Sequence, residues 1–173
     1  MARSAAVTFK GTPMTLAGEA VQVGAQAPDF TVHYFEGGLK TITPADLKGK
    51  ATLINVVPSL DTGVCKTQTK KFNDQVAGLK DKINAVTISL DLPFAMNRFC
   101  GAESITNLKV GSDYIDRNFG KSYGVLIEEL KLLARSVFVL DKDGKVAYAE
   151  TVPEVTSEPN YDAAMAALQK VAG

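Results

Sequence analysis

The 173-residue chain is 46% hydrophobic, balances 19 Lys plus Arg against 19 Asp plus Glu, and holds two cysteines and one histidine. This is enough apolar material for a single domain with a proper core, expected to span residues 1–173, and too short a chain for two. The charges are scattered, so no basic stripe points to nucleic acid and no polybasic run to an anionic membrane.

The opening "MARSAAVTFKGTPMTLAG" lacks the apolar stretch of a signal peptide, and no segment nears the ~18 apolar residues of a membrane span. A cytoplasmic protein is expected, with a small molecule or another protein as its partner. "AVTF" and "MTLAG" predict a small hairpin around "KGTP", an N-terminal extension over residues 1–20. "DFTVHYFEGGLKTI" predicts a strand with Phe30, Val32 and Tyr34 alternating, a Gly-Gly turn and a second short strand. Thr43 and Pro44 then open a helical turn.

Thr52 to Val57 is a continuous aliphatic and β-branched run, the pattern of a central parallel strand covered on both faces, and Pro58 ends it. Beyond it, Val64, Gln68, Phe72 and Val76 recur at helical spacing, with Asp61 or Thr62 as the N-cap. Cys65 thus falls in a strand-to-helix turn or the first helical turn. The unit repeats: "INAVTISLDLP" predicts a second buried strand ending in Pro93, and "FAMNRFCGAE" a short helix with Cys100 near its end and Gly101 as its stop.

"LKVGSDYI" reads as a short strand and turn, and "DRNFGKSYG" as a short helix. "LARSVFVLDKDGKVAYAETV" reads as two strands around a "DKDG" turn. "NYDAAMAALQKVAG" closes as an amphipathic helix behind "SEPN". Strands alternating with helices, then a hairpin and a last helix, describe an α/β protein. Its mixed central sheet carries helices on both faces, the thioredoxin-like arrangement among others.

Two cysteines are too few for a secreted disulfide scaffold, so each is a buried hydrophobe or a reactive group. Context favours reactivity at Cys65, because a helix N-terminus stabilises the anionic form of a thiol and the thiolate is the nucleophile. Thr62, one turn earlier, is placed to bond either the backbone or the sulfur and its substrate, whereas Lys66 points away. Cys100 lies 35 positions further on, outside any C-x-x-C spacing, and meets Cys65 only if the fold brings the two helices together.

Other signals fall short. "FGKS" lacks the glycine of a phosphate loop at Ile115, and the closing Glu of a calcium loop begun at "DKDG" would fall at Val152. The lone His33 makes a zinc site or a Cys–His hydrolase improbable, and no metal or cofactor is expected. The missing C-x-x-C disfavours a thioredoxin-type oxidoreductase. The missing Trp disfavours a glutathione peroxidase. A thioredoxin-like binding or chaperone module without turnover is the competing class.

Pro58, Thr62 and Cys65, spaced P-x-x-x-T-x-x-C, resemble the active-site motif of the peroxiredoxins. "DLPFAMNRFCGAE" followed by "LLARSVFVLD" is similar to the bacterial thiol peroxidases, the atypical two-cysteine subgroup, and the likeness runs on to "EPNYDAA". The resemblance implies a thioredoxin-like fold with Cys65 as peroxidatic cysteine, Cys100 as resolving cysteine in the same chain, and Arg135 as the active-site arginine. Pro58 shapes the turn and shields the sulfur. It further implies hydrogen peroxide and organic hydroperoxides as substrates, a Cys65–Cys100 disulfide recycled by thioredoxin, and a homodimer.

Overall fold

In the computed structural model, which describes residues 1–173, two sheets share one large apolar core. The strands are β1 (Arg3–Phe9), β2 (Thr12–Ala17), β3 (Val32–Phe35), β4 (Leu39–Ile42), β5 (Ala51–Val56), β6 (Ile83–Ser89), β7 (Lys109–Ser112), β8 (Leu126–Ile127), β9 (Leu132–Leu133), β10 (Ser136–Leu140) and β11 (Val146–Thr151). The helices are α1 (Pro44–Leu47), α2 (Gly63–Gln75), α3 (Pro93–Glu103), α4 (Asn118–Ser122) and α5 (Tyr161–Ala172).

The central sheet runs β11-β10-β5-β6-β7-β3-β4. β5 lies parallel to β6, and β6 to β7, while β10 and β3 pair antiparallel with β5 and β7. The sheet is therefore mixed, as expected, with the "TLINV" run in the interior strand β5, parallel to β6 on one side and antiparallel to β10 on the other.

Side chains alternate across the pleat and split the interior in two. Leu53, Val137 and Val139 face one way and pack with Phe72 of α2, Ala164, Met165 and Leu168 of α5, and Phe99 of α3. Ile54, Val56, Val86, Ile88 and Phe138 face the other way, onto Phe119 and Tyr123 around α4 and onto the second sheet. Helices thus cover both faces, α2, α3 and α5 on one and the short α4, with Leu47 of α1, on the other.

The second sheet, β1-β2-β8-β9, was not foreseen. β8 and β9 have two residues each, too few to display a period; β8 pairs with the edge of the hairpin at β2, and β9 pairs with β8. The hairpin turns at Lys10 and Gly11, both at positive φ, and Pro13 lies inside β2 opposite Thr8 and not in the turn. Val7, Met14 and Leu16 reach into the larger core.

Elsewhere the sequence reading holds with shifts at the ends. Phe30 precedes β3 and packs edge-on to Phe119, 5.3 Å between centroids. The "DKDG" segment is a turn held by Asp141, whose carboxylate accepts the Asp143 and Lys145 N–H groups. Gly101 does not stop α3. The helix continues to Glu103 and ends at Ser104 in the left-handed region, φ 57°.

Candidate active site

β5 and β6 deliver their helices from the same sheet edge. β5 ends at Val56, and the chain crosses Val57 to Thr62 before α2 begins; Pro58 in this crossing is buried. Asp91, in the crossing from β6 to α3, ties the two together. Its carboxylate accepts Ser59 Oγ at 2.8 Å, Leu60 N–H at 2.8 Å and Ser89 Oγ at 2.6 Å.

Thr62 is the N-cap of α2 in extended conformation, and its carbonyl accepts the first helical bond from Lys66 N–H. Its hydroxyl donates to the Ser59 carbonyl at 3.0 Å, and it neither accepts from the helix amides nor bonds the sulfur. No side chain caps α2. The free first-turn amides give the helix its positive end.

Cys65, in that first turn, is fully buried among Val57, Leu60 and Met96. Packing alone would make it inert filler, but Arg135 overturns that reading. Arg135 sits between β9 and β10 and is 2% exposed. Its guanidinium donates to Val155 O at 2.7 Å, Gln68 Oε1 at 2.8 Å and Cys65 Sγ at 3.4 Å. The ion pairs of the protein all involve lysines, so no carboxylate neutralises it. A buried cation without a carboxylate partner favours negative charge beside it, and Cys65 Sγ is the reactive atom it touches.

Gln68 and Asn55 complete the support. Gln68 Nε2 donates to Asn55 Oδ1, and Asn55 Nδ2 donates to Thr69 Oγ1 at 3.2 Å and Thr87 Oγ1 at 2.9 Å. All four are buried. The network fixes Arg135 through Gln68, three positions after Cys65 on the same helix face. Neither residue was singled out from sequence as a site residue, although a lone Asn in the apolar "TLINVV" run and a Gln among the spaced apolar positions of α2 were the available signals.

Cys100 is on α3, one turn beyond Met96. It packs against a different apolar cluster from Cys65, with Phe99 touching both. Burial pushes the Cys100 thiol up to about 11, so in this conformation it is protonated at neutral pH. Both cysteines are free thiols. The structure thus joins Cys65 to Arg135, sets Thr62 and Pro58 in the crossing that precedes them, and holds Cys100 apart.

A helix-borne thiol facing a buried guanidinium, on a thioredoxin-like sheet, defines a thiol-based oxidoreductase. The Redoxin family model matches residues 22–165. The chain is 56% identical over 158 residues to thiol peroxidase of Bacillus subtilis, covering 91% of this chain and 93% of that one. It is 51% identical over 165 residues to thiol peroxidase of Halalkalibacterium halodurans, covering 95% and 98%.

Among solved structures, the peroxiredoxin-like protein from Aquifex aeolicus is similar with a TM-score of 0.87 at 43% identity, over 98% of this chain and 99% of that one. Thiol peroxidase from Chromobacterium violaceum shares the fold, with a TM-score of 0.83 at 19% identity over 95% of each chain. The chain belongs to the thiol peroxidases, a peroxiredoxin branch of the Redoxin family, whose chemistry is thiol-dependent peroxide reduction. No helix is long and apolar enough to cross a membrane.

Proposed function

We propose that the chain is a hydroperoxide reductase in which Cys65 attacks and Cys100 resolves. The Cys65 thiolate attacks one oxygen of R–O–O–H; the O–O bond breaks, the sulfur becomes sulfenic acid, and the departing alkoxide or hydroxide takes a proton to leave as alcohol or water. Negative charge moves from sulfur onto the oxygens in that step. The guanidinium, rigidly seated by Val155 and Gln68, is positioned to follow it, and the first-turn amides of α2 add donors on the same side. Pro58 and Thr62 shape the crossing.

The Cys100 thiol then condenses with the sulfenic acid, releasing water and forming the Cys65–Cys100 disulfide. Two thiols of thioredoxin reduce it and are themselves oxidised to a disulfide. No step requires a metal or an organic cofactor. A chemistry that consumes a thiol reductant fits the cytoplasm, and the chain acts as a single domain.

A homodimer is supported by an exposed apolar patch. Phe94, 58% exposed at the start of α3, lies 5.2 Å from Phe35, whose strand partner Leu39 is 54% exposed. The apolar Leu92 and Phe94 near α3 favour bulky organic hydroperoxides beside hydrogen peroxide.

The observation that carries the proposal is the carboxylate-free Arg135 bonded to Cys65 Sγ. The test is consumption of hydrogen peroxide or cumene hydroperoxide with NADPH, thioredoxin reductase and thioredoxin. NADPH oxidation dependent on the chain supports peroxidase turnover. A reduced, folded chain that leaves NADPH untouched points to a binding module on the same fold.

A further inference from the structure

Attack of Cys100 on Cys65 requires the two sulfurs to approach to bonding distance, yet they rest in separate apolar clusters. The helix turn that carries Cys100 must therefore loosen. That turn is weak by its own sequence. Gly101 lies inside it, where glycine disfavours helix, and Glu103 puts negative charge at the end where the helix dipole is already negative. Helix-end bonds converge on the Cys100 carbonyl, which accepts the N–H groups of Ser104 and Ile105. Unwinding the last turn would break both bonds.

The turn is held from outside. Glu103, the last residue of α3, accepts Lys66 Nζ at 2.5 Å on one carboxylate oxygen and Lys70 Nζ at 3.1 Å on the other. Both lysines are on α2, and Lys66 directly follows Cys65. Hydrogen bonds from the two ammonium groups hold the Glu103 carboxyl below the usual range. The carboxylate is mostly covered, at 18% exposure, while the lysines are half exposed. No other acidic side chain ion-pairs with α2.

We propose that the Lys66–Glu103–Lys70 clasp pins the Cys100-bearing turn of α3 to α2 and sets the rate of disulfide formation, leaving the attack on peroxide untouched. Glu103, Lys66 and Lys70 are positioning residues here, acting through Cys100. The proposal rests on Cys100 being the resolving cysteine. A tight clasp prolongs the life of the Cys65 sulfenic acid, which a second peroxide converts to sulfinic acid. The clasp thereby sets how readily the enzyme overoxidises.

The reduced full chain is mixed with one equivalent of hydrogen peroxide and quenched at intervals with acid and N-ethylmaleimide. Mass spectrometry then reads sulfenic acid, disulfide and sulfinic acid separately. Glu103→Gln is expected to form the disulfide ~3- to 10-fold faster than the parent, the scale of two partly exposed ion pairs. It should consume the first peroxide at the parent rate and accumulate less sulfinic acid under excess peroxide.

Raising NaCl from ~0.05 M to ~1 M screens the pairs and should accelerate disulfide formation in the parent but not in Glu103→Gln. Because Glu103→Gln can also disturb α3, Lys66→Gln/Lys70→Gln serves as the second variant and should match it. The reversed clasp Glu103→Lys/Lys66→Glu/Lys70→Glu should restore slow, salt-sensitive resolution. Equal rates in parent and variants, a slower Glu103→Gln, or salt-independence of the parent overturns the clasp. If the parent itself forms no Cys65–Cys100 disulfide, the resolving role of Cys100 fails, and the clasp with it.

Discussion

Replacing Arg135 by alanine removes a guanidinium that touches three partners at once. At 3.4 Å from Cys65 Sγ, a unit positive charge attracts a thiolate by ~5 kcal/mol at an effective dielectric constant of about 20. Water entering the vacated space returns part of this. What remains is close to the ~3–4 kcal/mol measured when one preorganised donor is taken from a site of developing negative charge, or ~10²- to 10³-fold in rate. The second-order rate of peroxide consumption should fall by that factor in Arg135→Ala, and alkylation of Cys65 by iodoacetamide near pH 6 should slow in parallel.

Folding suffers separately, because Val155 O and Gln68 Oε1 lose their donor inside the protein, at ~1–3 kcal/mol each. Circular dichroism melting checks that the variant is folded at the assay temperature. Arg135→Lys restores charge without the planar fork and should recover only part of the rate. A folded Arg135→Ala enzyme whose peroxide rate stays within ~threefold of the parent contradicts the electrostatic role of the guanidinium.

Other perturbations have equally definite outcomes. Cys65→Ser should consume no peroxide in the thioredoxin-coupled assay, whereas Cys100→Ser should oxidise Cys65 once, stall, and progress to sulfinic acid; unchanged steady-state turnover in Cys100→Ser contradicts its resolving role. Asp113 is buried and accepts the Phe119 and Gly120 N–H groups, and burial outweighs these bonds to push its carboxyl up to about 6. A carboxyl raised in the folded state binds its proton more tightly there, so its contribution is full below the unfolded value near 4 and is lost as pH rises through about 6. Denaturant midpoints should therefore show a downward component between these values, which Asp113→Asn abolishes. A Cβ at Gly111 would lie 2.5 Å from Val32 Cγ2, so Gly111→Ala should destabilise by ~1–3 kcal/mol, read as a lowered midpoint in urea.

How much of this was visible in the residues depends on whether the deciding contact is local. The central strands were legible because an unbroken aliphatic and β-branched run at Thr52–Val57 means burial on both faces, and Cys65 because a Pro stop followed by helical spacing puts it in the strand-to-helix turn or the first helical turn. Arg135 was legible only through family resemblance. Taken alone, an arginine ahead of a strand is a solvated charge, and its burial here is decided by Gln68 and Val155, 67 and 20 positions away. β8 and β9 were hidden for the same reason, since two residues carry no pattern and β8 pairs with β2 of the distant N-terminal hairpin, β9 with β8. The end of α3 was misread because Gly101 argues locally against helix, while Glu103 at the true end is ion-paired to Lys66 and Lys70 on another element. Asp91 escaped notice because a carboxylate in a crossing looks solvated until Ser59 and Leu60 are seen to bind it.

The most direct test is a count of thiols. The reduced chain, at a concentration that separates intramolecular from intermolecular products, is given one equivalent of hydrogen peroxide, and its free thiols and intact mass are measured under non-reducing conditions. Cys65 and Cys100 as an intramolecular peroxidatic pair predict loss of both thiols, a monomer-sized chain two hydrogens lighter, and a single peptide linking Cys65 to Cys100. Retention of both thiols, or a linkage between chains, contradicts it.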